Sequence, residues 1–169
     1  MSATDFRFFI DVPVSTQWRN IELLRASVQN CLAAVFSDVE GSDAIAMVTG
    51  ELLENAVKYG CWTHGDAVFR LRVWGDAELG HIEVENPVRA DDEGPRRVRE
   101  LLAWMAGFAT PEEAYQARML QVAAAPRGTA GGLGLARVMY EGGCRLRAEQ
   151  VGEMFRVVAE MPMQRAEGA

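Results

Sequence analysis

Cysteine is scarce in this chain. Cys31, Cys61 and Cys144 are odd in number, far apart and without a C-x-x-C spacing, so neither a disulfide framework nor a zinc cluster is indicated and each reads as a small hydrophobe. Basic residues are outnumbered, 17 Lys and Arg against 24 Asp and Glu, for a net charge of −7. That balance argues against nucleic acid as a direct partner, because phosphate-backbone binding needs clustered cations. No apolar run approaches the ~18 residues of a membrane span, and the first residues lack a basic stretch followed by an apolar one. The expectation is a cytoplasmic protein without membrane contact. Histidine is limited to His64 and His81, in loop and strand contexts, and no histidine-bearing dimerisation helix is visible. Internal repeats and low-complexity tracts are missing too. What remains, 169 residues of which 49% are apolar and 24% charged, suffices for one domain with a substantial core. We place it at 1–163, with 164–169 a frayed tail.

The element pattern follows from periodicity. Phe6 to Val12 alternates as a strand that Pro13 ends. Ser15 then caps a first helix with apolar positions Trp18, Ile21, Leu24, Val28, Cys31 and Val35. Glu40-Gly41-Ser42 reads as a turn, with Ser42 capping a second helix that Gly60 closes as a left-handed C-cap. Ala67 to Trp74 and Leu79 to Glu85 read as a hairpin. The segment 87–130 opens as a charge-rich loop through Arg89-Ala90-Asp91-Asp92-Glu93-Gly94-Pro95. Val98, Leu101, Leu102 and Met105 then mark a short amphipathic helix ended by Gly107. Thr110-Pro111-Glu112-Glu113 is a capping box that starts a helix running to about Ala124, with Met119 and Val122 as packing residues. A helix to Tyr140 and the strands Cys144 to Glu149 and Glu153 to Met161 complete the chain. This order describes an α+β, two-layer sandwich: helices on one face of a mixed, mostly antiparallel sheet.

Two stretches carry the chemistry. In the second helix Ile45, Val48, Leu52, Ala56 and Tyr59 share a stripe about 80° wide at roughly 100° per residue. Asn55 lies about 20° off Val48 on that projection, and Glu51 sits one turn earlier. An amide and a carboxylate aimed towards an apolar face either hydrogen-bond locally or line a cavity. The second stretch, Gly131-Gly132-Leu133-Gly134-Leu135-Ala136, is the dense glycine cluster of the chain and precedes helical spacing. Glycines there bring backbone N–H groups to a phosphate at a positive helix end.

Glu51-Leu52-Leu53-Glu54-Asn55-Ala56-Val57-Lys58-Tyr59-Gly60 and Gly131-Gly132-Leu133-Gly134-Leu135, with Ile10-Asp11-Val12-Pro13 leading into a long helix, resemble the N-box and second glycine box of the Bergerat-fold (GHKL) ATPases. Within these, the chain is most similar to the stand-alone anti-sigma-factor serine kinases, and the resemblance covers nearly all of it. It implies an ATP-binding, magnesium-dependent serine/threonine protein kinase acting in a bacterial partner-switching or signalling circuit. The implied partner is a small regulatory protein of the anti-sigma antagonist kind, or one like a sigma factor. Asn55 would hold Mg²⁺, Glu51 would act as general base or orient the nucleophile, and Gly131, Gly132 and Gly134 would receive the triphosphate, with Lys58 or Arg127 neutralising charge. The segment 87–130 occupies the place of the ATP lid.

The chain departs from the family at the first glycine box. Where Asp-x-Gly-x-Gly is expected it has Glu85-Asn86-Pro87-Val88, and Asp92-Glu93-Gly94-Pro95 is a displaced half-match. Asn86 and Asp92 are the candidates for the adenine contact. The alternative is therefore a catalytically inactive domain of this fold that binds and sequesters a partner. Exposed apolar residues on the first helix would also allow a homodimer.

Overall fold

In the strands, side chains alternate between an apolar and a charged set, and this alternation builds one sheet with two unlike faces. The computed structural model describes residues 6–13, 23, 26–31, 39–62, 68–76, 78–126 and 131–163. Its elements are β1 (Phe6–Pro13), α1 (Val39–Tyr59), β2 (Val68–Gly75), β3 (Leu79–Pro87), α2 (Glu93–Met105), α3 (Pro111–Ala124), α4 (Leu133–Tyr140), β4 (Arg145–Val151) and β5 (Met154–Pro162). A further helical stretch spans 26–31, where Val28 is fully buried and Gln29 Nε2 donates to Asp43 Oδ1 at 2.7 Å. Ser15, Trp18, Ile21, Leu24 and Val35 of the expected first helix lie outside the described residues, as do Arg127, His64 and the tail 164–169.

The sheet has five strands in the order β1-β2-β3-β5-β4. Every described pair is antiparallel, which corrects the expected mixed sheet. The reason is topological. β4 runs in the direction of β3 but does not touch it, because its hairpin partner β5 is inserted between them. Phe69, Leu71, Val73, Ile82, Val84, Ala159 and Met161 form the buried face, on which the helices pack in a second layer. The chain is thus a two-layer α+β sandwich. The opposite face carries Arg70, Arg72, Glu83, Glu85 and Arg156. Its register sets Glu85 directly across from Arg70 on one side and Arg156 on the other, so opposite charges are cross-strand neighbours.

α1 buries Ile45, Val48, Leu52 and Ala56 as its spacing predicts, and Leu53 widens the stripe. Three expectations about this region fail. The helix begins at Val39, so Glu40-Gly41-Ser42 is helical rather than a turn from which Ser42 caps the helix. Tyr59 is 43% exposed, because at the end of α1 the stripe runs out into a cleft. Gly60 is not left-handed, since the positive-φ glycines among the described residues are Gly132, Gly143 and Gly152. It keeps the helical bond to Ala56 O at 2.8 Å and makes room for Trp62, whose ring lies 2.5 Å from where a Cβ would stand. Cys31, expected on the apolar face of the first helix, is exposed.

The segment after β3 is folded and docked. Asp92 Oδ1 accepts from Gly94 N at 2.8 Å and starts α2, so the stretch expected as a loop is in part a helix. Its Gly and Pro fit because the first turn leaves backbone N–H groups unpaired in any case. Thr110 Oγ1 accepts from Glu113 N at 3.2 Å and caps α3, as predicted. Pro95, Met105 and Ala114 are buried, and Val98, Leu101 and Leu102 pack against the core. Met119, expected to pack, is 40% exposed. No described helix is long and apolar enough to cross a membrane.

Candidate functional site

α1 and α4 are far apart in sequence, yet their polar residues meet. Glu51 Oε2 lies 2.2 Å from the position a Cβ would take on Gly134, so only glycine lets the first turn of α4 approach this carboxylate so closely. Asn55 Nδ2 stands 3.8 Å from the same point and donates to Glu51 O at 2.8 Å. The local hydrogen bond that the Glu51 to Asn55 spacing allows is therefore made, but to the backbone of Glu51. Among the described residues Asn55 Oδ1 accepts no side-chain hydrogen bond, which leaves it open to accept or to coordinate. One turn on, Tyr59 Oη lies 2.9 Å from the Cβ position of Gly131.

Gly132 is the N-cap of α4, with φ +85° and ψ +10°, and no side chain caps that end. The left-handed backbone there suits glycine alone, and a Cβ would meet Leu101 Cδ2 at 2.4 Å. Among the described residues the first amides of α4 have no side-chain acceptor, and they stand at the positive end of the helix.

Two arginines that the sequence reading missed complete this end. Arg137 Nη1 donates to Glu51 Oε1 at 3.2 Å while its Nε donates to Glu141 Oε2 at 2.7 Å. The hydrogen bond to Glu141 is the main reason that the guanidinium is held above its ordinary range, and Glu51 adds to it. Arg118 of α3 donates through Nη2 to Gly131 O. The i,i+4 pairing of Arg137 and Glu141 was the available signal for the first. Nothing local marks Arg118.

An open cleft of about 1120 Å³ lies between the end of α1, α2, α3 and the glycine cluster, lined among others by Asn55, Lys58, Tyr59, Asp92, Arg118, Gly131 and Gly132. The Glu51–Arg137 ion pair and Gly134 adjoin Asn55 but are not on the cleft wall. Lys58 is exposed and its Nζ lies 5.1 Å from the Tyr59 ring centroid. Asp92 lies on the wall, with one carboxylate oxygen engaged in capping α2. A second, apolar pocket of about 30 Å³ adjoins the cleft, sharing Asn55, Tyr59, Gly94, Val98 and Leu135 with it and adding Pro95, Asn86 and Phe155. Asn86 is 4% exposed, and its Nδ2 donates to Pro87 O at 3.2 Å. It faces the helices while its neighbour Glu85 faces the other way. Burial works against the charge of Glu85, but hydrogen bonds from Arg70 and Arg156 hold its carboxyl below the ordinary range.

Asn55 fits a magnesium ligand. It offers one hard, unengaged oxygen, and among the described residues no group of three or more His, Cys, Asp or Glu gathers as a cation cage. Magnesium bound here would take most of its ligands from phosphate and water. Cys144 has no part in this chemistry, since burial pushes its thiol up to about 12. His81 lies on β3, stacked on Trp74 with centroids 5.0 Å apart.

No protein-family model matches this sequence, and no curated protein matches it. Among solved structures, a chain of the SiaB-SiaC complex from Pseudomonas aeruginosa has the same fold: TM-score 0.63, over 92% of this chain and 89% of that one, at 15% identity.

Proposed function

We propose that the cleft binds ATP with Mg²⁺ in the manner of a Bergerat-type GHKL domain. The chain then acts as a serine/threonine protein kinase on a small partner protein in a signalling circuit of the partner-switching kind. The observation that carries this reading is the meeting of Glu51, Asn55 and Gly134 beside the uncapped start of α4. A carboxylate, a free amide oxygen and the backbone amides of a helix start, brought together, are what positioning and neutralising a triphosphate require. Asn55 would hold magnesium, which supplies charge neutralisation between phosphate oxygens. Glu51 would orient the attacking hydroxyl, and Gly131 and Gly132 leave the cleft wall bare of side chains. The similar chain crystallised in a complex of two proteins, which supports a protein as the partner.

The base end of the cleft favours a second reading. The paired glycines after β3 are missing, and the pocket beside Asn86 is small and apolar, with Pro95 and Val98 in its wall. A domain so arranged would bind and sequester a partner without catalysis. Calorimetric titration with ATP, with and without Mg²⁺, separates the two. Magnesium-dependent binding supports the first reading. No binding at millimolar ATP would leave the sequestering domain.

A further inference from the structure

Of the arginines that line the cleft, Arg97 pairs with Glu93 and Arg89 is exposed, whereas Arg118 is half-buried and its hydrogen bonds among the described residues all end on neutral atoms. Its Nη2 donates to Gly131 O and its Nη1 to Gln121 Oε1 at 2.9 Å, while Nε is buried with no partner among the described residues. Arg70, Arg72, Arg137 and Arg156, similarly half-buried, each pair with a carboxylate. A partly desolvated cation with an unmade N–H bond and no counter-charge is unfavourable as it stands. An anion at that spot would relieve it.

We propose that Arg118 is an anion-binding residue whose missing counter-charge is a phosphate group at the Gly131 to Gly134 end of the cleft, with the Gly131 carbonyl as its resting partner. The proposal rests on the nucleotide reading given above and adds a residue of α3 to it. The geometry of the guanidinium suits the role. Nε and Nη2 lie on one edge and present two parallel N–H groups, a fork that matches two oxygens of a phosphate. At rest that edge is half used, by Gly131 O alone. Exchanging the carbonyl for phosphate turns the fork into the cleft and satisfies both donors. The same exchange ties α3 to the ligand, and so couples this helix to the phosphate end.

The test is calorimetry with ATP, ADP, adenosine and inorganic tripolyphosphate on the wild type, Arg118→Gln and Arg118→Lys, together with thermal melting of each protein without ligand. Loss of a charge-assisted fork should weaken ATP and tripolyphosphate by roughly tenfold to a hundredfold, ADP by less, and adenosine not at all. Arg118→Lys should recover only part of the loss, since an ammonium lacks the fork. The unliganded Arg118→Gln protein should melt no lower than the wild type. Arg118→Gln binding ATP and tripolyphosphate as the wild type does would overturn the proposal, whatever its melting temperature. An equal loss for adenosine would overturn it as well, by showing a general structural role. Wild type that binds tripolyphosphate through Arg118 but not ATP would sustain this inference while defeating the nucleotide reading. Binding of neither would defeat both.

Discussion

The two ends of the cleft are built differently. At the end proposed to take phosphate, Asn55 from α1 and Arg118 from α3 line the cleft beside Gly131 and Gly132, and the Glu51–Arg137 ion pair lies next to Gly134. Among the described residues, Asn55 Oδ1, Arg118 Nε and the first amides of α4 have no side-chain partner there. At the other end one buried amide, Asn86, stands beside apolar walls in a space of about 30 Å³. A buried polar group left unpaired is costly, and among the described residues Arg118 Nε is such a group at this end, a donor that an anion would complete. The base end has the character of a core. Under the nucleotide reading proposed above, the difference means that groups able to handle phosphate charge are present while the paired glycines after β3 are missing.

The sharpest way to break this comparison is Asn55→Ala. If Asn55 Oδ1 is a magnesium ligand, the variant should lose Mg-dependent ATP affinity by roughly a hundredfold, while losing about 1 kcal/mol of stability with the Nδ2 bond to Glu51 O. Calorimetry and urea unfolding read the two effects separately. A clearly destabilised variant with unaltered nucleotide affinity would make Asn55 structural and erase the contrast between the ends.

Next in size is Gly132→Ala. The left-handed backbone costs about 1–2 kcal/mol for a residue with a Cβ, and that Cβ would also stand 2.4 Å from Leu101 Cδ2, forcing the leucine to shift. Gly143→Ala has a similar positive φ, 59°, with nothing within 4 Å, so it isolates the backbone part. Urea unfolding should find Gly132→Ala the more damaging of the two, and equal losses would show that α2 yields freely at Leu101.

Much of the architecture was legible because it is written locally. The Thr110 cap, the hairpin at Asp76 and the buried stripe of α1 depend on residues within one or two turns of each other. Glu51, Asn55 and the glycines could be paired from sequence only through a resemblance, and the structure does bring them together. The start of α2 was hidden because Asp92, Gly94 and Pro95 are the residues of loops as well as of helix N-termini. Arg118 was hidden for another reason. Its partner Gly131 lies outside its own helix, and no periodicity signals a contact made across a cleft.

Glu85 sharpens the comparison from the base end, since it anchors the strand that presents Asn86. Its folded value lies below the ordinary 4.5, so its stabilisation is fully present above pH 4.5 and fades as pH falls through the lower, folded value. Glu85→Gln should cost about 1 kcal/mol at neutral pH, given two half-exposed arginine partners. The gap to the wild type should close as pH falls below 4.5 and through the lower, folded value. A gap that persists unchanged into acid would show that shape, rather than charge, is what Glu85 contributes.

The smallest expected effect bears on the wall between the two ends. Val98 lines both the cleft and the small pocket and packs with Pro95 from the first turns of α2. If that turn is what keeps a base out, trimming it should favour entry: Val98→Ala is expected to cost about 0.5–1 kcal/mol of stability yet tighten ATP by a few fold, with tripolyphosphate unchanged. Amide hydrogen exchange supplies the second measure. Under a lid mechanism, residues 87–126 exchange faster without ligand and gain protection with Mg-ATP, because α2 and α3 then close on a bound nucleotide. The packing of Pro95, Met105 and Ala114 into the core sets the opposite limit. Protection already high without ligand, unaltered by Mg-ATP and by Val98→Ala alike, would make α2 a fixed part of the core. The sequestering domain would then be the better account of the base end.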